Sequence, residues 1–156
     1  FLLTQHTNRR VIMGTRSNIA YQKPNGKVVV MYCHYDGYPE YNGKILGKHY
    51  NNRAKAHALV DNGYQSSLKP TIIESNEGRV HQDPPETYHS LHSYLMNLKD
   101  SWDIEWVYLF KNNNWYVAET KYIELLNAGD KAKFLHERDF MPLWAYFTKN
   151  DIAVGD

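Results

Sequence analysis

Cysteine is nearly absent from this chain: Cys33 is the only one among 156 residues. No disulfide can form within the chain, and no cysteine-rich zinc cluster can be built. A protein without disulfides suits a reducing compartment, so we expect it in the cytoplasm.

Long apolar runs and an excess of one charge are lacking as well. The apolar runs fall far short of the roughly 20 residues that a membrane-spanning helix needs. The opening stretch FLLTQHTNRRVI is too weakly apolar for a secretory signal. The formal net charge is +1, so no strong field draws the protein onto nucleic acid or an anionic membrane. We expect no membrane contact, and nucleic acid is a less favoured partner than a small ligand or a protein.

Aromatic residues are abundant, with 13 Tyr and 4 Trp. Their apolar rings carry polar groups, so they suit either the filling of a small core or the binding of a flat, amphipathic ligand. Met13 has the context of a start codon, since MGTRSNIAYQKPNGKVVVMY leads directly into a strand pattern. We predict that residues 1–12 are an N-terminal extension or arm and that residues 13–156 form a single domain.

Two β-hairpins are predicted. Residues 17–23 and 27–34 flank the turn signal Asn25-Gly26, and IEWVYLF and WYVAET flank KNNN. Helical patterns lie between and after the hairpins rather than alternating with single strands. The predicted class is therefore α+β: a small antiparallel or mixed sheet built from two hairpins and packed by three to four helices.

The helical patterns have recognisable ends. Residues 41–62 are helical with a break at YNNR, where Asn51 or Asn52 caps a second helix and Gly63 follows its end. PPETYHSLHSYLMNLKDS predicts a helix with an apolar stripe made by Tyr88, Leu91, Leu95 and Leu98.

The remaining segments are predicted from weaker patterns. Residues 64–85 are typical of a loop with one short strand at 71–74. IELLNAGDKAKFLHERDF is predicted as one or two short helices, and MPLWAYFTKND as a strand or a packed tail.

Three stretches carry a resemblance to a known family: MGTRSNIA, YCHYDGYPEYNGKIL and EWVYLFKNNNWYV. They are similar to a family of small proteins of tailed bacteriophages and prophages that open Met-Gly-Thr-Arg-Ser and carry a Cys-His-Trp/Tyr-Asp-Gly-Tyr-Pro block. HYNNRAKAHALVDNGYQSSL is also similar to the family's helix and Gly-x-x-Ser-Ser-Leu turn. The resemblance spans most of residues 13–122 and implies a phage-type protein acting in the host cell cytoplasm. It supplies no catalytic residues.

His34 and Asp36 follow the second predicted strand. Residues two apart in an extended chain point to the same side, so His34, Asp36 and Tyr32 are expected to face one site. A histidine beside a carboxylate can act as a general base or bind a metal. The alternative is structural: Asp36 caps the turn, and His34 satisfies a backbone group.

The GTRSN stretch at residues 14–18 supplies a second set of candidates. Arg16 can bind a phosphate in a bidentate manner, and Ser17 and Asn18 can add hydrogen bonds. Antiparallel pairing places Ser17 or Asn18 opposite about His34, so that Arg16, Ser17, His34 and Asp36 converge at one edge of the sheet. An ion pair between Arg16 and Asp36 would explain the same residue types.

We therefore predict a ligand site at this corner of the sheet, called the His34 corner below. Its predicted ligand-binding residues are Arg16, Ser17, Asn18, Tyr32, His34, Tyr35, Asp36 and Tyr38. Cys33 faces the opposite side and is predicted to be a buried hydrophobe. His89 and His92, three apart on a helix, are interpreted as solvent-edge residues rather than metal ligands.

The aromatic residues of the second hairpin allow two interpretations. Trp106, Tyr108 and Phe110 share one side, and with Trp115 and Tyr116 they either stack nucleobases or pack under a helix. No HExxH, Walker, GxGxxG or GxSxG motif occurs, and we expect no cofactor and no bound metal.

Three functions remain open. The first is a phage-type accessory protein that binds a nucleotide-like or other phosphorylated ligand, or a host macromolecule, without turnover. The second is a hydrolase with His34 as base and Asp36 as its orienting partner or as a metal ligand. The third is a virion or assembly component that associates through an exposed hairpin edge.

Overall fold

A six-stranded mixed sheet forms the centre of the molecule. The computed structural model describes residues 15–98, 104–124 and 131–154. The sheet order is β3-β2-β1-β4-β5-β8, and β6 and β7 form a separate two-stranded hairpin. The strands are β1 Arg16–Gln22, β2 Val28–Cys33, β3 Glu86–Tyr88, β4 Ile104–Lys111, β5 Asn114–Glu119, β6 Lys121–Glu124, β7 Lys131–Phe134 and β8 Met141–Pro142.

Both predicted hairpins are confirmed. Gly26 adopts φ +91° in the first turn, where Lys23 N donates to Lys27 O over 2.8 Å. In the second turn, Asn112 and Asn113 adopt φ 50° and 63°. Two successive positive φ values match the right-handed twist of the flanking strands, and asparagine tolerates them better than most residues.

The two hairpins join through β1 and β4, which run parallel and pair Ile19 with Tyr108. The predicted α+β class is confirmed, and of the two predicted kinds of sheet the mixed one is present. The described chain contains five α-helices: α1 Lys44–His49, α2 Arg53–Asp61, α3 Ile72–Glu77, α4 Leu91–Leu98 and α5 Leu143–Lys149. A π-helical turn, Pro39–Gly43, runs directly into α1.

Each face of the sheet buries a separate apolar cluster. On one face, which we call the aromatic face, side chains of β1, β2, β4 and β5 pack with α1, α2 and α5; its ring-bearing strand residues are Tyr21, Trp106, Tyr108, Phe110 and Trp115. The opposite face packs against Leu91, Tyr94, Leu95 and Leu98 of α4. The packing interpretation of the β4 aromatic residues is confirmed, since all three are buried; Tyr116 lies on the opposite face.

Both ends of α2 lie where the sequence signals predict them. Asn52 is its N-cap and accepts a hydrogen bond from Lys55 N over 2.9 Å, and Gly63 just after the helix has φ +85°. The stripe predicted for α4 is correct for Leu91, Leu95 and Leu98, but Tyr88 belongs to β3.

Two predicted elements are wrong. Residues 71–74 are not a strand: Thr71 caps α3, accepting from Glu74 N over 3.1 Å while its hydroxyl donates to the Glu74 carboxylate over 2.9 Å. This N-cap outweighs the β-prone pair Ile72-Ile73. The segment predicted as one or two short helices spans residues 123–140, of which 125–130 lie outside the described residues. Its described part contains the end of β6, β7 and a 3-10 turn, Glu137–Asp139. MPLWAYFTKND forms β8 and then α5.

The edges of the sheet are short. β3 has three residues and β8 has two, and they pair with the outer sides of β2 and β5. Short edge strands limit edge-to-edge association, which weakens the case for assembly through an open hairpin edge. No helix in the described residues is long and apolar enough to cross a membrane. The predicted arm, residues 1–12, lies outside the described residues.

Gly37 packs closely against Thr15 and against Ser17 of β1. A Cβ at this position would lie 2.7 Å from both Ser17 Cβ and Thr15 O. Gly37 O also accepts a 2.6 Å hydrogen bond from the buried Tyr108 hydroxyl. We expect Gly37→Ala to lower the free energy of unfolding by about 1–3 kcal/mol, measured by urea denaturation.

Gly78→Ala is the matched control for this prediction. A Cβ at Gly78 meets nothing within 4 Å, so we expect a change within about 0.5 kcal/mol. Equal losses in the two variants would contradict the close approach of Gly37 to β1.

Candidate functional site

The His34 corner is an aromatic cluster at the end of β2. The Tyr32 hydroxyl and His34 Nδ1 lie 2.7 Å apart in a hydrogen bond, which confirms that the two side chains share one side. The Tyr35 ring meets the His34 ring edge-on at 4.5 Å between centroids, and Tyr35 is 43% exposed. The ring of Tyr64 lies 5.9 Å from that of Tyr32.

A segment far along the chain holds this corner in place. Gln65 N donates to Tyr32 O, and His34 N donates to Gln65 O, each over 3.0 Å. Tyr35 N donates to Ser66 O over 2.9 Å. Residues 64–66 have no strand pattern, so this contact was not predicted.

Asp36 occupies the turn after β2 in a left-handed conformation, with φ 59°. Its carboxylate accepts a 3.4 Å hydrogen bond from the Tyr38 hydroxyl. The Tyr32 hydroxyl forms the hydrogen bond at His34 Nδ1. At that atom the phenol therefore takes the orienting role predicted for Asp36. The hydrolase alternative stays a prediction.

The GTRSN candidates divide between the two sides of the sheet. Ser17 is fully buried and pairs in register with Cys33, so it cannot contact a ligand at the surface; its prediction as a ligand-binding residue is wrong. Asn18 pairs with Tyr32 and donates to the Tyr94 hydroxyl over 2.7 Å. Arg16 is partly exposed and forms no ion pair with Asp36 or any other described carboxylate.

Cys33 lies on the aromatic face, as predicted, with no exposed surface. Asn42 Nδ2 donates to its Sγ over 3.5 Å and to Ser17 Oγ over 3.2 Å. Burial raises the pKa of the Cys33 thiol to about 11, because the low-dielectric core disfavours the thiolate. A buried neutral thiol is a poor nucleophile.

Metal-binding geometry is missing from the described part of the chain, which holds no group of three His, Cys, Asp or Glu that could hold an ion. His89 and His92 are exposed, as interpreted from their spacing.

A cavity lies elsewhere in the described structure, between α1, the β4–β5 turn and α5. We call it the aromatic cavity; its volume is about 900 Å³. Its lining residues are Lys44, Gly47, Lys48, Asn51, Phe110, Asn113, Asn114, Trp115, Leu143, Trp144, Phe147, Thr148, Asp151, Ile152, Ala153 and Val154.

The floor of the aromatic cavity is rigid and apolar. Phe110, Trp115 and Phe147 are buried, and Trp115 Nε1 donates to Tyr50 O over 2.8 Å. The Phe110 and Trp115 rings meet at 5.2 Å between centroids. Buried rings fixed by such contacts give a preformed surface rather than one that collapses when empty.

The rim of the aromatic cavity is polar, with one exposed aromatic side chain. Trp144 is 68% exposed, which is unusual for an indole. Lys44 and Lys48 are four residues apart and therefore share one side of α1. The spacing GKILGK was the available sequence signal for these lysines. The cavity itself was missed, because it is assembled from segments distant in sequence.

Comparisons with protein-family models, curated proteins and solved structures find no match to this chain. No residue role can therefore be transferred from another protein. The function has to be argued from the chemistry of the corner and of the cavity.

The burial of Cys33 predicts that its thiol reacts slowly in the native protein. With a pKa of about 11, the thiolate fraction at pH 8 is on the order of one in a thousand. We expect iodoacetamide to label Cys33 very slowly in the native protein and rapidly in denaturant, measured by mass spectrometry. Similar labelling rates in the two states would contradict the buried position.

Proposed function

We propose that the protein is a phage-type accessory protein that binds a nucleotide-like phosphorylated ligand, without turnover, in the aromatic cavity. The observation that carries the proposal is the pairing of an exposed indole, Trp144, with two lysines on one side of α1 at the mouth of a preformed cavity. The sequence resemblance over residues 13–122 supports the phage-type part.

The dimensions of the aromatic cavity suit a ligand of this size. Small-molecule sites are typically concave, largely apolar and about 300–1,000 Å³ in volume. The volume of about 900 Å³ falls within that range. A base and a sugar fill such a space, with the phosphate left at the polar rim.

The chemistry of the rim matches the two ends of a nucleotide. A nucleobase stacks on an aromatic side chain whatever its sequence identity, and Trp144 offers an accessible ring face for this contact. Lys44 and Lys48 present ammonium groups, which bind phosphate as point charges. Lys44 forms no ion pair with a described carboxylate, so its charge is available.

The lining of the aromatic cavity favours binding over catalysis. Its described residues include neither histidine nor cysteine, the side chains that most often serve as general base or thiol nucleophile. The one carboxylate among the described lining residues is Asp151. The proposal therefore assigns recognition, and no bond-breaking step, to this cavity.

Calorimetric titration with the four common ribonucleoside 5′-monophosphates tests the proposal. We expect Trp144→Ala to weaken binding about tenfold, since base stacking contributes about 1–3 kcal/mol. The double variant Lys44→Gln/Lys48→Gln is expected to weaken the binding of nucleotides and to leave the binding of the corresponding nucleosides unchanged. It removes only the charges that face the phosphate.

Lys55→Gln is the matched control, since Lys55 is an exposed lysine of α2 outside the aromatic cavity. Its nucleotide affinity should equal that of the original protein. Absence of binding by the original protein, or equal weakening in the control, would contradict the proposal.

A further inference from the structure

A second cavity lies beside the tips of the two hairpins, and we call it the basic cavity. Its volume is about 450 Å³, and a smaller adjoining cavity of about 300 Å³ shares Lys23, Pro24, Arg53 and His57 with it. The other lining residues come from the two turns and the strands beside them: Tyr21, Gln22, Asn25, Gly26, Phe110, Lys111, Asn112 and Asn113.

The charged side chains in the described lining of the basic cavity are cationic. Its lining includes Lys23, Arg53 and Lys111, and the described lining contains no carboxylate. Lys111 is partly neutralised, because its Nζ lies 3.8 Å from Glu137 Oε1. Lys23 and Arg53 form no ion pair with any described residue. Two cations brought close together without a counter-charge repel each other, and a bound anion would relieve that repulsion.

His57 adds an oriented hydrogen-bonding ring to this cavity. Its imidazole stacks on the Tyr21 ring, with centroids 3.8 Å apart and 16° between planes. The Tyr21 hydroxyl donates to Asp61 Oδ1 over 2.7 Å, which fixes the tyrosine from its far end. A stacked ring keeps its nitrogens in a defined plane, so a ligand meets a preorganised donor.

The pKa of His57 reflects its burial and the charges beside it. Burial lowers the pKa of His57, and the charges of Arg53 and Lys23 lower it further, against an opposing effect of Asp61. Two of the three cations that line the cavity, Arg53 and Lys23, therefore influence the ring. An anion bound among Arg53, Lys23 and His57 would act in the opposite direction to the two cations and raise the pKa of His57.

We propose that the basic cavity is a binding site for a phosphate group, with Arg53 and Lys23 as its charged ligands and His57 as a hydrogen-bond donor. Arginine binds phosphate oxygens with two parallel hydrogen bonds, and lysine adds a point charge. The site is separate from the aromatic cavity, although Phe110 and Asn113 line both, and it does not depend on the function proposed for that cavity. Its ligand is free phosphate or the phosphate of a small organic monoester.

Titration followed by NMR of the His57 ring tests the site. Inorganic phosphate and glycerol 3-phosphate are added separately, with sodium chloride at matched ionic strength as the reference. We expect saturable shifts of the His57 resonances and a rise in the pKa of His57 with either phosphate, but not with chloride. Tighter binding of inorganic phosphate identifies the free ion as the ligand, and tighter binding of glycerol 3-phosphate identifies an organic monoester.

Matched variants separate this site from general surface charge. Arg53→Gln and Lys23→Gln should each weaken phosphate binding about tenfold, which corresponds to about 1.4 kcal/mol. Lys55→Gln, on the same helix as Arg53 but outside both cavities, should leave it unchanged. The proposal is overturned if phosphate acts no differently from chloride, or if Lys55→Gln weakens binding as much as Arg53→Gln does.

Discussion

The parallel pairing of β1 with β4 is the constraint on which the rest of the structure depends. Each strand belongs to a local hairpin, and a two-stranded hairpin alone is at best marginally stable in water. Pairing Asn18 with Val107 and Ile19 with Tyr108 joins the two hairpins into one sheet. Because the strands run parallel, both hairpin tips lie at the same end of the sheet. The basic cavity lies beside these tips, and the aromatic cavity shares residues of the second tip.

The aromatic residues have two roles that the fold separates. Tyr108 and Trp115 are buried and tie the sheet to the surrounding segments, through hydrogen bonds to Gly37 O and Tyr50 O. Trp144 lies outside that packing and faces the aromatic cavity. The close approach of α5 to α1 depends on Gly43, where a Cβ would lie 3.3 Å from Leu143 Cδ1. Gly43, just before α1, and Gly47, on α1, both lie against Leu143 at the rim that carries the lysines.

Local signals in the sequence predicted the local structure well. Asn25-Gly26 and the asparagines at 112–113 specify their turns, and Asn52 specifies the start of α2, because each acts within a few residues. The difference at residues 71–74 is also local: the pattern Thr71-x-x-Glu74 is a capping signal, and it outweighs the β-propensity of Ile72 and Ile73.

The candidate site was predicted less well, because its geometry depends on register and on distant segments. Ser17 or Asn18 was expected opposite about His34, but Ser17 lies opposite Cys33 and Asn18 opposite Tyr32. A shift of one residue moves a side chain to the other face of a sheet, so Ser17 is buried with Cys33. Gln65 stands beside β2 without any strand pattern of its own. The aromatic cavity combines residues from Lys44 to Val154, and no sequence window contains that information.

The most direct test of the account is the measurement of nuclear Overhauser effects between the backbones of β1 and β4 in isotope-labelled protein. The account predicts contacts in parallel order, between Asn18 and Val107, Ile19 and Tyr108, and Ala20 and Leu109. Contacts in antiparallel order, or two hairpins without contacts between them, would contradict it.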